Sequence, residues 1–414
     1  MNRIIIIGNG FDLAHGLKTS YRNFIDWYWK KWEKIICDSQ DNKLTFKDDL
    51  CTFEFNHVHG EMYQHKNFIN RQKFSNGIEF FNTLNKHPDV KIHQCEFLKR
   101  INQSLETKGW VDIENEYYKL LIENNAVVRG TVEELNNQLQ FLKDNLIEYL
   151  SSINIEDNLR NDLIRDIIYS PIKHQDIAVS CKDKLVEHIQ NELTRRDEDF
   201  LKKMELYNYE HNENQQLKGL HKEQDSTNVE LIQTKILSNA YPNEFFLPNE
   251  IMFLNFNYTN TAKLYLPTPK PGFEINHIHG ELSNPESVIF GYGDELDEKY
   301  QKLSNLNDNE YLRNFKSIKY LESDRYRRAL QFMDAAPYQV FIMGHSCGNS
   351  DRTFLNTLFE HKNCVSIKPY YFEKKDGTNN YLDIVQNISR NFTDMKLMRD
   401  RVVNKNYCDA FSKQ

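Results

Sequence analysis

The chain has 414 residues with only 15 Gly and 10 Pro, which excludes a low-complexity or disordered sequence rich in those residues. Hydrophobic residues are 39% and aromatics 13%, ample for a large core spread over two or three domains, or over one domain with a large insertion. The net charge of −8 argues against a nucleic-acid groove covering the whole protein, and no apolar run approaches the roughly 18 residues of a membrane span. The seven cysteines are odd in number, scattered and free of any C-x-x-C spacing, so they are expected to be free thiols in a soluble, cytoplasmic protein.

In chain order, Arg3–Ile7 is a β-branched run ending at Gly8 and predicts a buried, parallel strand. Residues 13–32 read as helix, and 60–240 are mostly helical in texture. Thr131–Leu150 begins with a capping signal and keeps apolar residues at helical spacing. The charged stretch 181–225 predicts a solvated helical hairpin. Strand texture returns at Ile251–Phe256, Glu274–His279, Ser287–Tyr292, Gln339–Met343 and Val365–Phe372, and Leu382–Val402 predicts a closing helix. The expected organisation is an α/β core from 1–20 and 241–372, a largely helical insertion over 21–240, and a C-terminal element over 373–414 that packs on the core. The sheet is therefore mostly parallel and split in sequence.

Five loops carry polar or glycine-rich chemistry. Gly8, Asn9, Gly10, Phe11 and Asp12 follow the first strand, where glycines let backbone N–H groups approach a pyrophosphate; the alternative is a tight strand-to-helix turn capped by Asp12. Asn257, Tyr258 and Thr259 follow the second strand, where an Asx turn is the structural alternative. His277 and His279 alternate so as to share one strand face. His279 is a candidate acid/base or ribose contact, and no metal is expected because partners at ligand spacing are lacking. Gly291 and Tyr292 sit in the sequence FGYGDE. Gly344, His345, Ser346 and Asp351 form a small-residue loop suited to phosphate or ribose, with Asp351 either capping the next helix or holding a hydroxyl. Cys347 beside His345 is a weak nucleophile candidate. The segment Phe53–Glu61 repeats Phe273–Glu281 at seven of nine positions, which makes His59 a decoy for His279.

Together IIIIGNGFDLAHGLKTSY (4–21), FNYT (256–259), HIHG (277–280), FGYGDE (290–295) and MGHSCGNSD (343–351) resemble the AbiH family of bacterial abortive-infection proteins, as does WVDIE (110–114). More remotely, that family is similar to sirtuin-like NAD-consuming domains, through Gly8/Gly10, Asn257, His279/Gly280 and Gly344/Ser346. Asp12 stands where those domains usually carry Ser, and Thr259 where they usually carry Asp. The resemblance implies a Rossmann-like, sirtuin-like fold. It also implies an NAD glycohydrolase that depletes NAD on infection, with Asn257 and His279 catalytic and the other loop residues holding NAD as substrate. Its implied partners are a nucleotide, a phage-derived trigger and a second copy of the chain, without membrane or nucleic acid. The alternative is a non-hydrolytic nucleotide sensor or switch.

Overall fold

The structure is a computed structural model that describes residues 1–39, 43–56, 69–123, 130–211, 228–267 and 272–413. Its strands in chain order are β1 (Asn2–Ile7), β2 (Thr45–Lys47), β3 (Cys51–Phe55), β4 (Val90–Gln94), β5 (Ile251–Asn255), β6 (Phe273–His277), β7 (Tyr338–Met343), β8 (Cys364–Glu373) and β9 (Ala410–Lys413). Six of them form one sheet in the order β6-β5-β1-β7-β8-β9, with every neighbouring pair parallel. Counted within this sheet alone, that order is 3-2-1-4-5-6, in which the direction of winding reverses between β1 and β7.

The register explains how distant loops meet. Ile7 pairs with Asn255 on one side and Met343 on the other, and Asn255 pairs with His277. The chain therefore leaves four strands at one level, after residues 7, 255, 277 and 343. β1 is buried on both faces, as its unbroken apolar run requires. Ile4 and Ile6 pack with the helices Arg325–Ala335, Arg352–Glu360 and Tyr381–Arg390. Ile5 and Ile7 pack with Phe11, Tyr265 and the helix Asp162–Ile168.

A second core, rich in aromatics, joins the helices Tyr21–Cys37, Gly77–Asn85, Glu96–Lys108, Ile113–Glu123 and Gly130–Ser151 to the small antiparallel sheet β2-β3-β4. Trp29 stacks on Phe81 with ring centroids 4.2 Å apart.

Several expectations change. Ser287–Tyr292 is not a strand. A 3-10 turn at Pro285–Ser287 leads into a loop pulled onto the aromatic core, where Tyr292 stacks on Tyr118 at 3.9 Å. The 60–240 region is mostly helical where described, as expected, with the short strand β4 within it. Residues 162–196 and 228–237 pack on the sheet rather than with 21–151, because Ile164, Ile168, Ile189 and Ile232 are buried against its face and end. The closing helix is two helices, Tyr381–Arg390 and Met395–Arg401, the second capped by Asp394, and β9 then adds an edge strand. Within 181–225 the helix Lys182–His211 is present, and 212–227 fall outside the described residues. In the repeated segment, Phe53–Phe55 belongs to antiparallel β3, and His59 lies outside the described residues.

Candidate active site

The exits of β1 and β7 interlock where the winding reverses. Gly10 N–H donates to the Gly344 carbonyl (2.8 Å), Gly8 N–H to the Met343 carbonyl (3.3 Å), and Phe11 N–H to the Gly8 carbonyl (2.8 Å). A Cβ on Gly8 would stand 2.5 Å from Cα of His345. One on Gly344, at φ +74°, would stand 2.0 Å from the Phe11 nitrogen. These glycines serve a close loop-to-loop contact. The amides of Gly8, Gly10 and Phe11 are spent within the protein, so they do not form the open pyrophosphate cradle expected from the sequence.

Above this contact is a cleft of about 500 Å³. Gly8, Asn9, Gly10, Asp12, Asn257, Tyr258, Thr259, His279, Gly344, His345, Ser346 and Asp351 all line it. Phe11 lies beneath, fully buried in the core. Gly291 and Tyr292 are not among the lining residues. Gly291 instead donates its N–H to Glu114 Oε1 (3.0 Å), and Tyr292 belongs to the aromatic core. His277 and His279 part company because β6 ends at His277 and the chain then turns. His277 Nδ1 faces Asn255 and the Asn257 carbonyl, whereas His279 enters the cleft. The Asx turn is realised by Asn255, whose Oδ1 accepts from Asn257 N–H (2.9 Å). Asn257 Nδ2 donates to the Gly8 carbonyl (3.0 Å).

The floor is a buried ionic cluster. Lys316 Nζ, on a side chain 1% exposed, lies 2.9 Å from Glu114 Oε2 and 2.8 Å from Asp351 Oδ1. Asp351 Oδ1 is 3.2 Å from His279 Nε2, and its Oδ2 is 3.4 Å from His345 Nε2. Tyr320 OH is 3.1 Å from His279 Nε2. Asp351 occupies the N-cap position of its helix but makes no side-chain cap, because its carboxylate is committed to this cluster. Burial opposes the Lys316 charge, yet Asp351 and Glu114 outweigh it and raise the ammonium pKa. Burial also pushes the Asp351 carboxyl upward, but Lys316 and His279 hold it well below the usual carboxylate range. Burial raises Glu114 to about 7 against the pull of Lys316. For His279, burial reinforced by Lys316 lowers the value to about 4, so the imidazole is neutral at pH 7 and its contact with Asp351 is a hydrogen bond.

Asp12 also lines the cleft. Its Oδ2 accepts from Thr259 Oγ1 (2.5 Å), while Oδ1 is buried with no hydrogen-bond partner among the described residues. Burial raises it to about 6, with the Thr259 bond acting the other way. Cys347 is no nucleophile here: its thiol is buried and pushed up, and only its N–H reaches His345 Nδ1. Among the described residues, no group of three or more His, Cys, Asp and Glu side chains is arranged to hold a metal ion.

Sequence reasoning missed Lys316, Tyr320, Asp112, Arg22 and Ser350. Lys316 falls in KSIK, which reads as an ordinary polar helix, and only the WVDIE motif hinted at Asp112 and Glu114. Among the described residues, Arg22 is the only Lys or Arg lining the cleft.

The molecule is thus an α/β protein with a six-stranded parallel sheet and an ion-lined cleft at the carboxyl ends of its central strands. Residues 4–372 match the family model described as bacteriophage abortive infection AbiH. The chain belongs to that family of phage-resistance proteins. Comparison with curated proteins and with solved structures gives no match. No described helix is long and apolar enough to cross a membrane.

Proposed function

We propose that the cleft hydrolyses the bond between nicotinamide and ribose of NAD, so that NAD loss on infection stops the host and with it the phage. The observation that carries this is the convergence of the β1, β5, β6 and β7 exit loops, with WVDIE, on one cleft at the switch point of the sheet. Rossmann-type sheets of the same strand order bind nucleotides there. NAD in particular follows from the sirtuin-like resemblance.

In this reading the C1′–N bond breaks, its electron pair leaves with nicotinamide, and positive charge builds on the ribose. Asp12, Asp112, Glu114 and Asp351 line the cleft and favour that charge. Water attacks C1′ and gives a proton to neutral His279, with Asp351 at 3.2 Å stabilising the imidazolium. Asn257 orients the ribose or the water. Arg22, rather than the loop amides, meets the phosphates. Trp110, 62% exposed at the rim beside Val111, offers its face to a base. The helical body holds the activity silent until a phage-derived trigger or self-association releases it.

Nicotinamide release by the purified protein, with and without phage lysate, tests the reading. His279→Ala and Asn257→Ala should each lower the rate by about 100-fold or more. Full activity in both variants, or saturable NAD binding with no turnover under any trigger, rejects hydrolysis; the second result leaves a nucleotide sensor.

A further inference from the structure

A second cavity, of about 650 Å³, adjoins the cleft. Helix Gly130–Ser151, β6 with its following loop, and residues 313–328 enclose it. Its charged lining comprises five cations, Lys143, Arg313, Lys319, Arg325 and Arg328, and four carboxylates. Three of the cations are well paired: Arg328 with Glu274, Arg313 with Glu310 at 3.3 Å, and Lys319 with Glu322 at 2.7 Å. Arg325 differs. Its side chain is only 15% exposed, and its partner Glu281 stands off at 3.6 Å. Among the described residues none of its guanidinium donors makes a hydrogen bond. A guanidinium fork that faces an open cavity with its donors unspent is free to take a bidentate oxyanion.

The geometry points to a binding site for a small polyanion, a phosphate ester or diphosphate, that takes the Arg325 fork in place of Glu281. Arg313, Arg328 and Lys143 complete its surroundings. The ligand competes with a carboxylate already present, so the site is poised for an anion of higher charge than Glu281 carries.

Two short links join this cavity to the cleft. His277 lines it, and its Nδ1 is 3.3 Å from Asn255 Nδ2 and 3.4 Å from the carbonyl of Asn257, which lines the cleft. The second link is the chain from Arg313 to Tyr320. Arg313 and Lys319 face the cavity, while Lys316 and Tyr320 between and beside them hold Asp351 and His279. An anion that draws Arg313, Lys319 and Arg325 together moves the backbone that positions the ionic floor. Binding at one cavity is therefore coupled to binding at the other, and the coupling is reciprocal. The polyanion site stands on its own lining; its effect on catalysis rests on the glycohydrolase reading of the cleft.

Isothermal titration of the 414-residue chain with sodium pyrophosphate, with sodium sulfate as the ionic-strength control, tests the site. One saturable site is expected. Arg325→Gln should weaken it by about ten-fold or more, and Glu281→Gln, which removes the competing carboxylate, should tighten it by about three-fold or more. The two opposite shifts guard against a variant that merely misfolds. No saturable heat, or equal affinities in all three proteins, overturns the site. In the same samples, pyrophosphate should change the rate of nicotinamide release by wild type and not by Arg325→Gln; an unchanged wild-type rate overturns the coupling. Binding with these shifts but without any nicotinamide release rejects the glycohydrolase reading and leaves the polyanion site intact.

Discussion

Lys316 illustrates what a single residue decides in this protein. It lies between Glu114 and Asp351, and a third hydrogen bond ties Asp351 to His279. Lys316→Met would strand two buried carboxylates, and the expected cost is about 3–5 kcal/mol, measurable by urea unfolding. His279 adds a pH dependence. Its folded value, about 4, lies below the ordinary 6.5, so between those values the unfolded chain binds more protons and stability rises with pH. Asp12 and Glu114 act in the opposite sense. Their folded values, about 6 and about 7, lie above 3.8 and 4.5, so each contributes stability that falls as pH rises through its window. His279→Gln should therefore show a smaller rise in melting temperature than wild type between about pH 4.5 and pH 6.5. The sequence made His279 and Asp351 legible because they stand at strand exits. It left Lys316 hidden, because nothing local separates a buried lysine from a solvated one.

Among the elements, β1 and its exit are the part read most directly from residues. An apolar run closed by Gly-x-Gly can be buried only in a parallel interior position, and it lies between β5 and β7. The role of the glycines was less visible. Gly344→Ala places a Cβ 2.0 Å from the Phe11 nitrogen at φ +74° and should abolish folding or cost several kcal/mol. Gly16→Ala, at φ +77° but with nothing within 4 Å, should cost only about 1–2 kcal/mol. Thermal melts of the two variants separate loop-to-loop contact from backbone conformation alone. β2, β3, β4 and β9 were missed because TFK, CTFEF, VKIHQ and AFSK are short, and their pairing partners lie elsewhere in the chain. FEFN and FEIN are nearly the same sequence, yet one sits in an antiparallel sheet and the other at the parallel edge. Local pattern sets strand character, whereas the neighbour sets direction.

For the molecule as a whole, the cleft belongs to two cores. The sheet supplies Asp12, Asn257, His279 and Asp351; the aromatic body supplies Arg22, Trp110, Asp112 and Glu114. Trp110→Ala should leave stability nearly unchanged, since the side chain is exposed, but weaken NAD binding by about five-fold or more if a base stacks there. Tryptophan fluorescence titrated with NAD measures it. By itself the sequence determined the class of fold, the sheet divided between the two ends of the chain, and the loops where polar chemistry gathers. Those follow from periodicity and from glycine, which are local properties. Only the tertiary structure decided that Gly8 and Gly10 spend their amides on the β7 loop, that Tyr292 stacks in a core instead of the cleft, and that Lys316 bridges Glu114 and Asp351. Burial and charge pairing depend on residues hundreds of positions apart, and the register that aligns four strand ends is what brings them together.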